Sequence, residues 1–190
     1  MTGSAEQGKA TCWTMIRGAA TGDAADRDRF ARCYDPAVRA YLRARWKSSA
    51  HLETVDDAVQ DVFLDCFKEG GALARAEENR AGGFRAFLYG VVRNVARRVE
   101  DHARRNREHP PPADFREEDH AAYEAHLSQV FDRAWAEALV REAVARQRER
   151  ARERGPAEAR RVELLQLRFH EGLAIREIAA RWGTSTIPGR

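Results

Sequence analysis

Apolar residues recur along this chain at intervals of three and four, and no stretch alternates with a period of two. That pattern predicts helices throughout and almost no strand. A short first helix is expected over "CWTMIRGAATG", ending at Gly22. A second covers "AADRDRFARCYDPAVRAYLRARW", with Phe30, Tyr34, Val38, Tyr41, Leu42 and Trp46 on one stripe. Pro36 falls inside that stripe, so a kink or break is expected there. A third covers "TVDDAVQDVFLDCF", with Val55, Val59, Val62, Phe63, Cys66 and Phe67 inward. Thr54 and Asp57 have the spacing of a capping box at its start.

Two Gly-Gly pairs mark residues 68–83 as a loop. A fourth helix begins near Phe84 and buries Phe84, Phe87, Leu88, Val91, Val92, Val95 and Val99. "HPPPADFREED" reads as a break. A long charged helix follows, with Leu127, Val130, Phe131, Ala134, Trp135, Ala138, Leu139 and Val144 as its apolar face, closed by Gly155-Pro156. The last unit is helix, turn around His170-Glu171-Gly172, and helix to Gly183. The expected class is therefore all-α: a helical domain over 10–107, a charged helical linker over 108–155, and a partial helix-turn-helix over 156–190.

Charge sharpens this picture. Lys and Arg total 33 against 30 Asp and Glu, so the net value of +3 says little and the segregation says more. Acids crowd 53–69, whereas arginines crowd 93–107 and 146–154. Such separation suits one basic partner and one anionic partner. Asp57, Asp61 and Asp65 lie four apart on the third helix, where like charges cost roughly a few tenths of a kcal/mol per pair. The helix dipole relieves only the first of them. Either this is a solvated acidic face, or a basic surface compensates it.

Chemical signatures are few. Phosphate-loop, dinucleotide, zinc-protease and serine-hydrolase motifs are missing, so catalysis is not expected. Cys12, Cys33 and Cys66 form no CxxC pair and have no histidine at zinc spacing, so neither cofactor nor metal is expected. The first ten residues carry no apolar signal core, and no run is long enough to span a membrane; a cytoplasmic protein is expected. "LAIREIAARWGTS" has the form of the first helix and turn of a helix-turn-helix, with Ile178 and Trp182 inward, Gly183 in the turn and Ser185 as a cap.

The order of an acidic amphipathic helix, then "FRAFLYGVVRNVARRVEDHARR", then a distant helix-turn-helix resembles the sigma-70 family of bacterial RNA polymerase initiation factors, most closely the extracytoplasmic-function type. The likeness covers roughly residues 26–107 and 156–185. It implies a transcription initiation factor that binds core RNA polymerase and directs promoter recognition and DNA melting. Asp56, Asp57, Gln60, Asp61 and Phe63 would lie in the surface that docks on the coiled coil of the polymerase's largest subunit. Arg93, Asn94, Arg97 and Arg98 would face promoter DNA at the minus-ten element, Asn94 being best suited to touch a base. Tyr89 would either stack on an unpaired base or pack beside Phe87 or Leu88. An anti-sigma factor is a further partner that the family allows. After Ser185 five residues remain, including Pro-Gly, which is too few for a recognition helix. The apolar patch of Leu173, Ile178 and Trp182 is then expected to be disordered, to pair with another molecule, or to dock on the long helix. Two alternatives stay open: a helix-turn-helix regulator acting without polymerase, and a polymerase-binding decoy that does not read the minus-thirty-five element.

Overall fold

The predicted apolar stripes of the second, third and fourth helices face inward, whereas Leu139 and Val144 of the long charged helix are exposed. The computed structural model describes residues 13–105, 117–169 and 171–183, with the side chains of 117–120 left aside. The fold is all-α, and no strand occurs among the described residues. The helices are α1 (residues 13–21), α2 (Ala24–Arg45), α3 (Val55–Phe67), α4 (Gly83–Arg105), α5 (Glu117–Arg154), α6 (Pro156–Phe169) and α7 (Ile175–Arg181). No helix among them is long and apolar enough to cross a membrane.

Local chemistry sets the boundaries. Gly22 adopts φ +102°, which only glycine takes up without strain, and ends α1. The N–H of Asp23 then reaches the Gly18 carbonyl at 2.9 Å and that of Gly22 reaches Ala19 at 3.4 Å, the two bonds of a Schellman turn. Asp23 at once caps α2 by accepting from the Asp26 N–H. The expected cap of α3 does not form. Thr54 Oγ1 donates instead to the His51 carbonyl at 2.9 Å, because a 3-10 turn over Ala50–Thr54 feeds directly into the helix. Ser49 caps that turn. Nor does α2 break at Pro36; it stays helical from end to end. Pro36 is half-buried on the side away from the core stripe, where a lost backbone bond costs least.

The first compact unit runs to Leu139. Phe30 is its hub, with ring centroids of Tyr34, Phe67 and Phe84 at 4.7, 5.5 and 5.8 Å. Tyr34, Val38, Tyr41, Leu42 and Trp46 of α2, Val55, Val59, Val62 and Cys66 of α3, and Phe84, Leu88, Val92 and Val95 of α4 complete the core. Phe87, Val91 and Val99 are only half-buried at its margin.

The stretch read as linker differs from a spacer in its first half. Leu127 and Phe131 of α5 are fully buried in the same core, and Trp135 stacks on Tyr34 at 4.6 Å. Aromatic surface on α2 and α4 needs a cover, and the apolar face of α5 supplies it. The proline-rich break before α5 lies outside the described residues, apart from its last positions in the first turn of the helix.

The second unit begins at Val140. Gly155, at φ +107°, ends α5, and Pro156 opens α6 where its missing N–H costs nothing. Gly172, at φ +71°, turns the chain between α6 and α7. Glu177 accepts from the Ala174 N–H at 2.7 Å, one half of a capping box; an alanine side chain has no oxygen to offer the other half. Ala151, Leu167 and Ile178 are buried. Leu173 and Trp182 are half-buried, with the Arg160 guanidinium 5.9 Å from the Trp182 ring centre. Ser185 lies outside the described residues, as does the segment expected to be too short for a recognition helix.

Candidate functional site

The α2–α3 packing leaves a groove of about 1020 Å³. Ala31, Pro36, Val59, Phe63, Leu64 and Phe67 form its apolar wall, and Arg32, Asp35, Arg39, Asp56 and Gln60 its polar rim. Leu64 is 64% exposed, although the four residues Val55, Ala58, Val59 and Val62 just before it are buried. With Phe63 and Phe67, Leu64 gives the groove an apolar wall that stays open to solvent. The inward stripe of α3 does not include Leu64, and that departure was its available signal.

Three of the five residues assigned to polymerase docking line this groove: Asp56, Gln60 and Phe63. Phe63 is half-buried and stacks with Phe67 at 5.9 Å, so it forms the floor more than a free anchor. Asp56 is bonded to Arg39, which itself pairs with Asp35 at 3.0 Å. Arg39 holds the Asp56 carboxyl below the usual carboxylate range. Asp57 and Asp61 stand outside the groove wall on the adjoining face. Both are exposed, and among the described residues neither has a hydrogen-bond or ion-pair partner.

Asp65 breaks the acidic row. It receives Lys68 Nζ and Arg98 Nη2, both at 2.8 Å. Partial burial pushes its carboxyl up, but those two cations outweigh it and hold it below the ordinary range. Helix geometry explains the split. Residues four apart are rotated by roughly 40° from one another, so a row at i, i+4, i+8 winds around the helix. Asp57 starts beside the groove, and Asp65 ends against α4. The open acidic face therefore consists of Asp57 and Asp61.

The five residues assigned to DNA also separate. Asn94 and Arg97 are exposed and, among the described residues, without a partner. Arg98 is 56% exposed but tied to Asp65. Arg93 is turned inward, with Nε 3.1 Å from Glu124 Oε2 of α5. That N–H is not aimed at the carboxylate, so the contact is an ion pair without a hydrogen bond. Tyr89 packs edge-on against Tyr41 and Phe131, both at 5.4 Å, rather than beside Phe87 or Leu88. Burial pushes its hydroxyl pKa up. Arg104 and Arg105 continue the polar side of α4, each bonded locally to Asp101.

A partly buried polar cluster ties α2, α4 and α5 together in this unit. The Arg45 side chain, 9% exposed, donates to both oxygens of Glu100 at 2.7 and 2.9 Å and to Glu124 at 3.0 Å. Trp46 Nε1 donates to Glu100 at 2.8 Å, and Tyr123 Oη donates to the Arg45 carbonyl at 2.6 Å. Burial alone would lower the Arg45 pKa, but the paired carboxylates raise it above the usual arginine range. Sequence reading missed this cluster, because Arg45, Glu100 and Glu124 are far apart in the chain and each looks like a surface charge.

No family model, curated protein or solved structure matches this chain.

Proposed function

We propose that this chain is a sigma-70-like initiation factor of the extracytoplasmic-function type, which docks on core RNA polymerase through the α2–α3 groove and meets promoter DNA with α4. The observation that carries the reading is an open apolar groove with two carboxylates, Asp57 and Asp61, exposed on the adjoining face of α3 and unpartnered among the described residues. Its natural complement is an amphipathic helix whose apolar stripe fills the groove and whose basic flank meets those carboxylates. The coiled coil of the polymerase's largest subunit fits that description by the family resemblance. Asn94 and Arg97 on α4 give the reading its second support, since a free amide and a free guanidinium suit a base edge and a phosphate.

The test is copurification with core RNA polymerase. Asp57→Lys with Asp61→Lys should abolish it while leaving the far-UV circular dichroism unchanged, because neither side chain holds another part of the fold. Retention of polymerase by the double variant would refute the docking assignment. Run-off transcription from a selected promoter library separates the alternatives. An initiation factor yields transcripts, a decoy binds polymerase without them, and a free-standing regulator binds duplex DNA equally well with or without the enzyme.

A further inference from the structure

Arg85, Tyr89, Arg93 and Arg97 form one i, i+4 row on α4, and only its last member is open to solvent. The first half of α5 runs antiparallel across the other three. Glu124 faces Arg93 at 3.1 Å, Phe131 meets Tyr89 at 5.4 Å, and Arg85 bonds both Asp132 and Ser128, the Ser128 Oγ at 2.6 Å. The Arg85 guanidinium also lies over the rings of Tyr89 and Phe131, at 5.1 and 5.7 Å. Carboxylates and a hydroxyl thus occupy the places that phosphates and sugar would take on a cation–aromatic row, with the Phe131 ring edge-on to Tyr89 and closing its approach. The fit is incomplete at one point: the Arg93 Nε–H is buried without a hydrogen bond, a costly state that a phosphate with several acceptor oxygens would relieve.

We propose that the first half of α5 is an internal cover that imitates a single nucleic-acid strand, occupies Arg85, Tyr89 and Arg93, and is displaced when a real strand extends along α4 from Arg97. The proposal rests on the reading of α4 as the nucleic-acid face and adds a regulatory step to it. Affinity for a strand is then reduced by the fraction of molecules in which the cover is closed. Opening exposes Phe131 and Leu127, so the closed form dominates at rest.

The experiment uses the full chain and a fluorescein-labelled 12-nucleotide single-stranded DNA. Glu124→Gln with Asp132→Asn removes the two carboxylates of the cover that meet the α4 row and should tighten binding about tenfold. Glu149→Gln with Glu153→Gln changes net charge equally at exposed positions in the later half of α5 and should stay within about twofold, the scale of a nonspecific charge effect. Equal tightening by the control pair, or none in the uncovered variant with its circular dichroism intact, would overturn the cover. Amide hydrogen exchange on the parent protein decides independently of those variants. Exchange across residues 121–138 should accelerate when the strand is added; unchanged or slower exchange there refutes displacement. Arg97→Ala keeps the two ideas apart. If it weakens strand binding while the cover variants do nothing, the cover alone fails. If Arg97→Ala has no effect either, the nucleic-acid face fails, and the cover with it.

Discussion

Glu100 shows how much one side chain decides. Burial works against its charge, yet Arg45 and Trp46 outweigh that and hold its carboxyl below the ordinary glutamate range. A depressed folded value means the stabilisation is complete above the unfolded pKa of about 4.3 and is lost as pH falls through the folded one. Glu100→Gln should therefore cost about 2 kcal/mol at neutral pH and flatten the acid limb below about pH 4.3, as read by urea unfolding across pH. An unchanged acid limb would show that the Arg45 cluster is not formed in solution. Asp57 and Asp61 were legible as residues but not as a pair, since only the packing of α4 against α3 reveals that Asp65 is taken by Arg98. Tyr89 had two readings from spacing; in the folded chain its ring meets Tyr41 and Phe131, partners that spacing along α4 does not name.

At the scale of the element, α5 departs furthest from the sequence expectation. Its charge density suggests a solvated spacer, and its exposed residues from 140 onward keep that character. Leu127, Phe131 and Trp135 instead close the aromatic cluster of α2 and α4. Phe131→Ala should lower stability by about 3–5 kcal/mol, the usual cost of emptying a fully buried ring site. A fragment ending at residue 107 should unfold at lower urea than one ending at 139, because only the longer one covers Tyr34 and Tyr89. Equal midpoints would mean that the first half of α5 contributes nothing to this unit. Periodicity did find the apolar face of α5. It could not say what that face packs against, since a stripe specifies burial but not its partner.

Across the molecule, charge is arranged by surface and not by sum. An acidic face of Asp57 and Asp61 lies beside the α2–α3 groove, and a partly basic face runs along α4, joined by the Asp65–Arg98 pair where they meet. If α4 meets phosphates, Arg97→Ala should weaken promoter-DNA binding and lower the slope of log affinity against log salt by about one. The slope comes from fluorescence titrations at several salt concentrations. An identical slope for the variant would put Arg97 on a merely solvated face. Asn94→Ala should leave the slope alone and change only the preference among sequences, since an amide carries no counterion to release.

By itself the sequence determined the helical class, the positions of α2, α3 and α4, the inward stripes and the glycines that end α1 and α5. These follow from near-neighbour physics: side chains three or four apart share a face, and backbone conformation is local. Tertiary structure decided which charges are free, which arginines are spent inside the chain, and where an apolar groove stays open. Those outcomes depend on groups such as Arg45, Glu100 and Glu124, or Asp65 and Arg98, that meet only once the helices pack. Whether a charge pairs or stays open is set by distance in space, which spacing along the chain does not carry.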